Sequence, residues 1–392
     1  MSNGARTQGR QVRRRFFLTG AAALPLAACA PSILAPPVGS GVRLEHVKSW
    51  SALHGQALLA LSGTKGVWVR HTVDAWRMTY PSKDSAGRTI LLSGLLALPR
   101  GVRPRSLVSW QHGTMTSRAD VPSNLSVDGI AAAIIFAGTG RAVIAPDYLG
   151  LGISPLVHTY MVADDTARAV VDMLAAASSI PGVPATPPFL AGFSQGGHAT
   201  LAVQRNLEAV GRRVLGSAAV AGPHNLRTIS LPNALAGGAA THSLYLSYLV
   251  RGYAARYGQP MNSVLTPQFA ALTAQLYDQP HEPDAIMASL PKTPRSMFQP
   301  SFLDAVDRGR PNWLLHAMSD NEVSHFTPKA PVRLYYGRSD RDVPPREAVQ
   351  TAAEMRGRGA DVTAIDVGPY DHFASVSGAT PRALAWLDKL GG

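Results

Sequence analysis

Six short apolar runs, at 106–110, 142–145, 188–191, 214–221, 332–336 and 362–367, are separated by longer stretches with helical spacing. That alternation confines the chain to a narrow set of folds. Short runs of apolar and β-branched residues suit strands buried on both faces, and the helices expected at 164–178, 197–210, 346–358 and 381–390 place apolar residues three and four apart. A strand followed by a helix and another strand returns by a crossover, which makes the sheet mainly parallel with helices on both sides. The segments 66–80 and 88–98 flank the turn cluster 81–87 and predict an antiparallel hairpin. Between about 224 and 330 the rhythm breaks into helical and Pro-rich segments, such as 243–257 and 267–277, without a strand pattern. The expected organisation is an export signal at 1–28, a linker at 29–42, an α/β core formed by 43–223 and 331–392, and a helical cap inserted at 224–330.

With 46% hydrophobic and 16% charged residues, the 392-residue chain has apolar side chains enough for one large core and an insertion. The net charge of +12 invites a nucleic-acid reading, but Arg6, Arg10, Arg13, Arg14 and Arg15 all lie in the first 28 residues, and without these five the charge is +7. No basic run interleaved with aromatics occurs elsewhere, which argues against a nucleic-acid partner. Cys29 is the only cysteine, so no intramolecular disulfide can form and the apolar core must hold the fold. Oligomeric state is not legible in the sequence.

Residues 1–15 are polar and basic, 16–28 are apolar and small, and 31–42 are rich in Pro, Gly and Ser, the layout of an export signal. The apolar run is broken by Pro25 and falls short of the roughly 20 residues that span a bilayer. Arg14-Arg15-Phe16-Phe17-Leu18-Thr19 resembles a twin-arginine signal, which implies export of a folded protein. Leu26-Ala27-Ala28-Cys29 resembles a bacterial lipoprotein box, which implies a lipidated Cys29 and membrane anchoring in the cell envelope. Cleavage after Ala30, at the small-residue site Ala28-Cys29-Ala30, is the alternative and would release a soluble periplasmic or secreted protein.

Gly192-Phe193-Ser194-Gln195-Gly196-Gly197 follows an apolar run and precedes a helical pattern, the context of a nucleophile elbow. A serine on a tight strand-to-helix turn needs small residues two before and two after it, as Gly192 and Gly196 are. The motif alone also fits a plain Gly-rich turn, so its partners decide. The chain order Ser, acid, His selects His372, the one histidine that follows both the run 332–336 and the run 362–367. Between them, Asp340 and Asp342 compete for the acid; the spacing Gly-x-x-Asp-x-x-Val-Pro at 337–344 resembles the acid turn of many α/β-hydrolases and favours Asp340. The oxyanion donors expected are the backbone N–H of Gln195 and, from Gln111-His112-Gly113-Thr114, that of Thr114, with Gly113 the alternative.

Other residues invite chemistry without supporting it. His112 reads as a loop-fixing residue and His198 as a packing or capping residue at the start of a helix. Asp147-Tyr148-Leu149-Gly150-Leu151-Gly152 mimics a phosphate loop but lacks its third glycine and its Lys-Ser or Lys-Thr, and it reads as a loop at the rim of the site. Asp164-Asp165 and the scattered histidines lack metal-ligand spacing, so neither a metal nor a cofactor is expected.

From Thr79 to His372 the chain resembles the secretory-lipase-like branch of the α/β-hydrolases. The resemblance is carried by Tyr80-Pro81-Ser82-Lys83-Asp84, Ser93-Gly94-Leu95-Leu96-Ala97-Leu98-Pro99, Gln111-His112-Gly113-Thr114, the segment from Ala145 to Gly152 and the elbow. It implies an α/β-hydrolase fold, an ester or lipid substrate, hydrolysis of carboxylic esters including acylglycerols, and a helical cap that shapes the acyl site. The chain departs from that branch in having no cysteine after Cys29. A peptidase or amidase, an acyltransferase, and an inactive surface-binding protein are the rival readings; the ordered set Ser194, Asp340 and His372 weighs against the last.

Overall fold

The computed structural model describes residues 36, 37, 39–277 and 281–391; the export motif and Cys29 lie outside them. Among the described residues, one sheet contains β1 (Arg43–Trp50), β2 (Val73–Lys83), β3 (Thr89–Pro99), β4 (Leu107–Gln111), β5 (Ala142–Pro146), β6 (Phe189–Phe193), β7 (Gly216–Val220), β8 (Val332–Gly337) and β9 (Val362–Gly368). Their order is β1-β2-β3-β5-β4-β6-β7-β8-β9. The strands from β5 to β9 in that order run parallel, and β1, β2 and β3 add an antiparallel end. Each of the six apolar runs in the sequence becomes one of β4 to β9.

The hairpin differs in its turn. Pro81, Ser82 and Lys83 extend β2 and pair with Leu91, Ile90 and Thr89. Proline is tolerated there because β1 pairs with β2 only as far as Thr79, so its missing N–H leaves no ladder bond unmade. Asp84 closes the turn, accepting the N–H groups of Ala86 and Arg88, each at 2.9 Å. β1 itself escapes sequence reasoning because it is an edge strand with a register shift between His46 and Lys48 and no clean alternation.

Two apolar layers sandwich the sheet. On one face the helices Ala163–Ser178, Gln195–Ala209 and Arg346–Gly357 pack on Met78, Leu96, Ile144, Leu190 and Leu334. On the other, the helices Ala52–Leu61, Val127–Ala132 with its π-helical continuation Ala133–Ala137, and His372–Lys389 bury Val73, Leu95, Val108, Ala191 and Tyr335. The last helix, expected over 381–390, begins nine residues earlier and carries Pro381 in its interior. The Asp371 side chain caps it by accepting the Ala374 N–H, and Leu384 and Leu387 anchor its far half, which offsets the backbone bond lost at Pro381.

Between β7 and β8 the described residues form helices around a third apolar cluster that includes Leu244, Tyr248, Tyr253, Phe302 and Leu314. Its Pro-rich sequence has a local cause: Pro267, Pro283 and Pro300 each open a helix, where a missing N–H leaves no bond unmade. Among the described residues, no helix is long and apolar enough to cross a membrane.

Candidate active site

Ser194 follows β6 directly, with φ 56° and ψ −118°, a conformation that is costly for a residue with a side chain. Its N–H donates to the Val220 carbonyl at 2.9 Å, and its own carbonyl accepts from Gly197 at 2.8 Å, so the strained turn is locked from both sides. A Cβ at Gly192 would lie 2.3 Å from the Gly196 oxygen, and one at Gly196 would lie 1.9 Å from the Gln111 oxygen. Those contacts are why both positions must be glycine.

His372 is the first residue of its helix, and the turn after β8 supplies Asp340. His372 Nε2 lies 2.8 Å from Ser194 Oγ, and Nδ1 lies 2.8 Å from Asp340 Oδ2. The other Asp340 oxygen accepts the Val343 N–H at 2.9 Å. Ser194, Asp340 and His372 are 7%, 5% and 1% exposed, so their contacts act in a medium of low dielectric. The N–H of Arg338 donates to Gly368 at 2.9 Å and that of Ser339 to Tyr370 at 3.1 Å, which ties the acid turn to the loop carrying His372. Phe193 and Phe373 pack on the imidazole with ring centroids at 4.9 and 5.3 Å. Asp342 turns the other way: its carboxylate accepts the Thr241 hydroxyl and its carbonyl accepts the Asn233 amide at 3.2 Å, both from the helical insertion.

Gly113 and Thr114 line the same cavity as Ser194. Burial pushes His112 down to about 4, so it is neutral at pH 7, and its nitrogens face the carbonyls of Gly113 at 2.7 Å and Asp147 at 3.3 Å. Stacked on Tyr148 at 4.0 Å, it holds the loop. Asp128 accepts the Trp110 indole N–H, and burial raises its carboxyl to about 6.

The loop after β5 contributes residues that sequence spacing does not reveal. The Tyr160 hydroxyl lies 2.8 Å from Thr114 Oγ1. His158, buried and lowered to about 4, donates from Nδ1 to the Leu149 carbonyl at 2.6 Å, which leaves Nε2 to accept the Gln195 side-chain amide at 3.0 Å. Tyr160 stacks on Tyr248 at 4.7 Å and Tyr248 on Tyr277 at 4.3 Å, so the insertion braces these contacts. The side chains of both expected oxyanion donors are thereby held by one loop. No motif with fixed spacing announces His158 or Tyr160; only their place in the fold does.

The segment from Asp147 to Gly152 does not form the rim expected of it. Asp147, Tyr148, Leu149 and Leu151 are buried, and Asp147 accepts the Ser93 hydroxyl at 2.6 Å and the Ser123 N–H at 2.9 Å. Its glycines serve a tight path beneath the site. His198 is buried, lowered to about 4 by that burial, and contacts the Asn321 carbonyl at 2.8 Å. Asp164 pairs with Arg205 at 3.0 Å and Asp165 with Arg168 at 3.2 Å. Among the described residues, no cluster of His, Cys, Asp and Glu could hold a metal ion.

A cavity of about 650 Å³ opens beside Ser194. The insertion contributes Leu244, Tyr245 and Met287 to its wall, while the helices on the sheet face contribute Ile135, Val376 and Ala383 among others. The cavity is therefore walled by the core as well as by the insertion.

A mainly parallel sheet flanked by helices, a serine on a strained turn after one strand, and an acid and a histidine after later strands define an α/β-hydrolase, and this chain has that fold. The family model of secretory lipases matches residues 307–390, the part that carries Asp340 and His372. A Legionella pneumophila protein provisionally described as a hydrolase superposes with a TM-score of 0.82 at 23% identity, over 89% of this chain and 97% of that one. The rice cell wall degrading esterase LipA of Xanthomonas oryzae, in a ligand-bound form, superposes with a TM-score of 0.78 at 24% identity, over 90% and 98%. Candida antarctica lipase A in its closed state gives 0.66 at 14% identity, over 91% and 83%. No curated protein matches the chain in sequence.

Proposed function

We propose that the chain is a serine esterase or lipase that cleaves carboxylic esters through an acyl-enzyme on Ser194. The observation that carries this reading is the pair of 2.8 Å contacts joining Ser194, His372 and Asp340 beside a largely apolar cavity. As Ser194 Oγ attacks the ester carbon, His372 Nε2 takes its proton, and Asp340 stabilises the resulting imidazolium. The N–H groups of Gln195 and Thr114 receive the oxyanion, with that of Gly113 the alternative to Thr114. His372 then protonates the alcohol oxygen as its bond to carbon breaks. Water repeats the sequence on the acyl-enzyme: His372 removes its proton, the acid leaves, and Ser194 Oγ takes the proton back.

The helical segment between β7 and β8 serves as the cap in this reading, since it borders the cavity and grips the acid turn through Asp342. Export by the basic signal, and anchoring through a lipidated Cys29, would place the enzyme in the cell envelope, with the linker at 29–42 holding it off the bilayer. Fractionating cells that express the full chain or Cys29→Ser tests this: anchoring predicts that only the variant leaves the membrane fraction. For the chemistry, turnover of p-nitrophenyl butyrate is compared with that of the matching anilide. Ester-selective turnover is expected, and turnover of the anilide alone would favour an amidase.

A further inference from the structure

Two helical stripes face each other across the cavity. On helix His372–Lys389 the lining residues include Phe373, Val376, Thr380 and Ala383, spaced three and four apart on one face, with Ser377 beside them. On the opposite wall, Asp128, Ala131 and Ala132 belong to helix Val127–Ala132, and Ile135 and Phe136 to its π-helical continuation. The floor is the sheet itself, where Ala191 of β6 and Ala218 of β7 are small enough to leave a channel. Ser62, an exposed residue after helix Ala52–Leu61, lines the same cavity, so it reaches the surface there.

Resting on the ester reading, we propose that the acyl chain of the substrate lies in this core channel, between the helix at 127–137 and the C-terminal helix, and leads away from Ser194 toward Ser62. The channel follows helix His372–Lys389 from Phe373, next to the catalytic histidine, to Ala383. At the α-helical rise this is roughly 15 Å. An extended chain advances about 1.2 Å per bond, so the channel holds about 12 carbons before the tail emerges into water. Such a channel selects medium-chain acyl groups by enclosing them, and longer ones gain nothing further. Its length is set by alanines at two depths, Ala132 along one wall and Ala383 at the end of the other.

The test measures kcat/KM for p-nitrophenyl acetate, butyrate, octanoate, dodecanoate and palmitate, together with the rate at which alkylphosphonates of the same chain lengths label Ser194. The proteins are the full chain, Ala132→Phe and Ala383→Phe, with thermal melting as a check of folding. For the unmodified protein, kcat/KM should climb by up to about fourfold per methylene and level off near the dodecanoyl chain. Both variants should lower the dodecanoate-to-butyrate ratio by about tenfold or more, with the break at a shorter chain for Ala132→Phe than for Ala383→Phe. Profiles that neither folded variant changes would overturn the channel, as would a profile that does not rise beyond butyrate in the unmodified protein, a result that needs no variant. Absence of both turnover and Ser194 labelling at every chain length would instead defeat the ester reading itself.

Discussion

Replacing Asp340 by Asn removes the charge 2.8 Å from His372 Nδ1 and keeps the shape of the side chain. At that separation and an effective dielectric of about 20, a carboxylate and an imidazolium attract by about 6 kcal/mol. At about 1.4 kcal/mol per decade this amounts to roughly four orders of magnitude in kcat. The asparagine amide can also donate to Nδ1, which leaves the proton on Nε2 and the ring unable to accept from Ser194. Asp342→Asn is the matched control, because its neighbour is the Thr241 hydroxyl of the insertion and an amide oxygen can still accept there. That variant should keep kcat within about threefold and lose no more than about 1 kcal/mol of stability, the worth of one neutral hydrogen bond. Steady-state kinetics on p-nitrophenyl butyrate at pH 8, with thermal melts of both variants, separate the two. Equal losses, or a larger loss for Asp342→Asn, would refute the assignment.

Two further perturbations test the frame around the site. Gly196→Ala brings a methyl to within 1.9 Å of the Gln111 carbonyl, a rigid backbone atom, so a loss of about 3 kcal/mol or more and a collapse of turnover are expected; a variant that melts and turns over like the unmodified protein would contradict the tightness of the elbow. Acid should destabilise the fold through its buried histidines: His112, His158 and His198 are lowered to about 4 and His224 to about 3, each by burial, so the unfolded chain binds protons below its pKa of about 6.5 while the native state does not. Their contribution is present above about pH 6.5 and is lost as pH falls toward 4. Asp128, raised to about 6, and Glu347, raised to about 7, act in the opposite sense and recover part of the loss. A net loss of stability between pH 6.5 and 4.5, read from urea melts, is the expected outcome; a flat profile would contradict it.

The parallel half of the sheet was readable because strands buried on both faces write themselves as short apolar runs, and β4 to β9 are such strands. β1 and the hairpin turn were less so, since an edge strand need not alternate and Pro81 is harmless once β1 has ended. Ser194, Asp340 and His372 were accessible through order and local spacing, and the structure brings these three side chains together. Thr114 and Gln195 were named from their places in two sequence motifs, but what holds their side chains, Tyr160 and His158, comes from a loop whose residues follow no fixed offset. The loop from Asp147 to Gly152 misled because a glycine-rich turn looks the same whether it lines a site or lies under one; burial, a tertiary property, distinguishes them. Pro381 misled for a related reason, because a proline that opens a helix and one tolerated inside it have the same local sequence.

The central claim is that Ser194 carries the acyl group. Its most direct test is mass spectrometry of the full chain after rapid acid quenching during turnover of p-nitrophenyl butyrate. The account predicts a butyryl adduct on the peptide containing Ser194, absent from Ser194→Ala, whose turnover should be lost. Undiminished turnover by Ser194→Ala, or an adduct on a different residue, would contradict it.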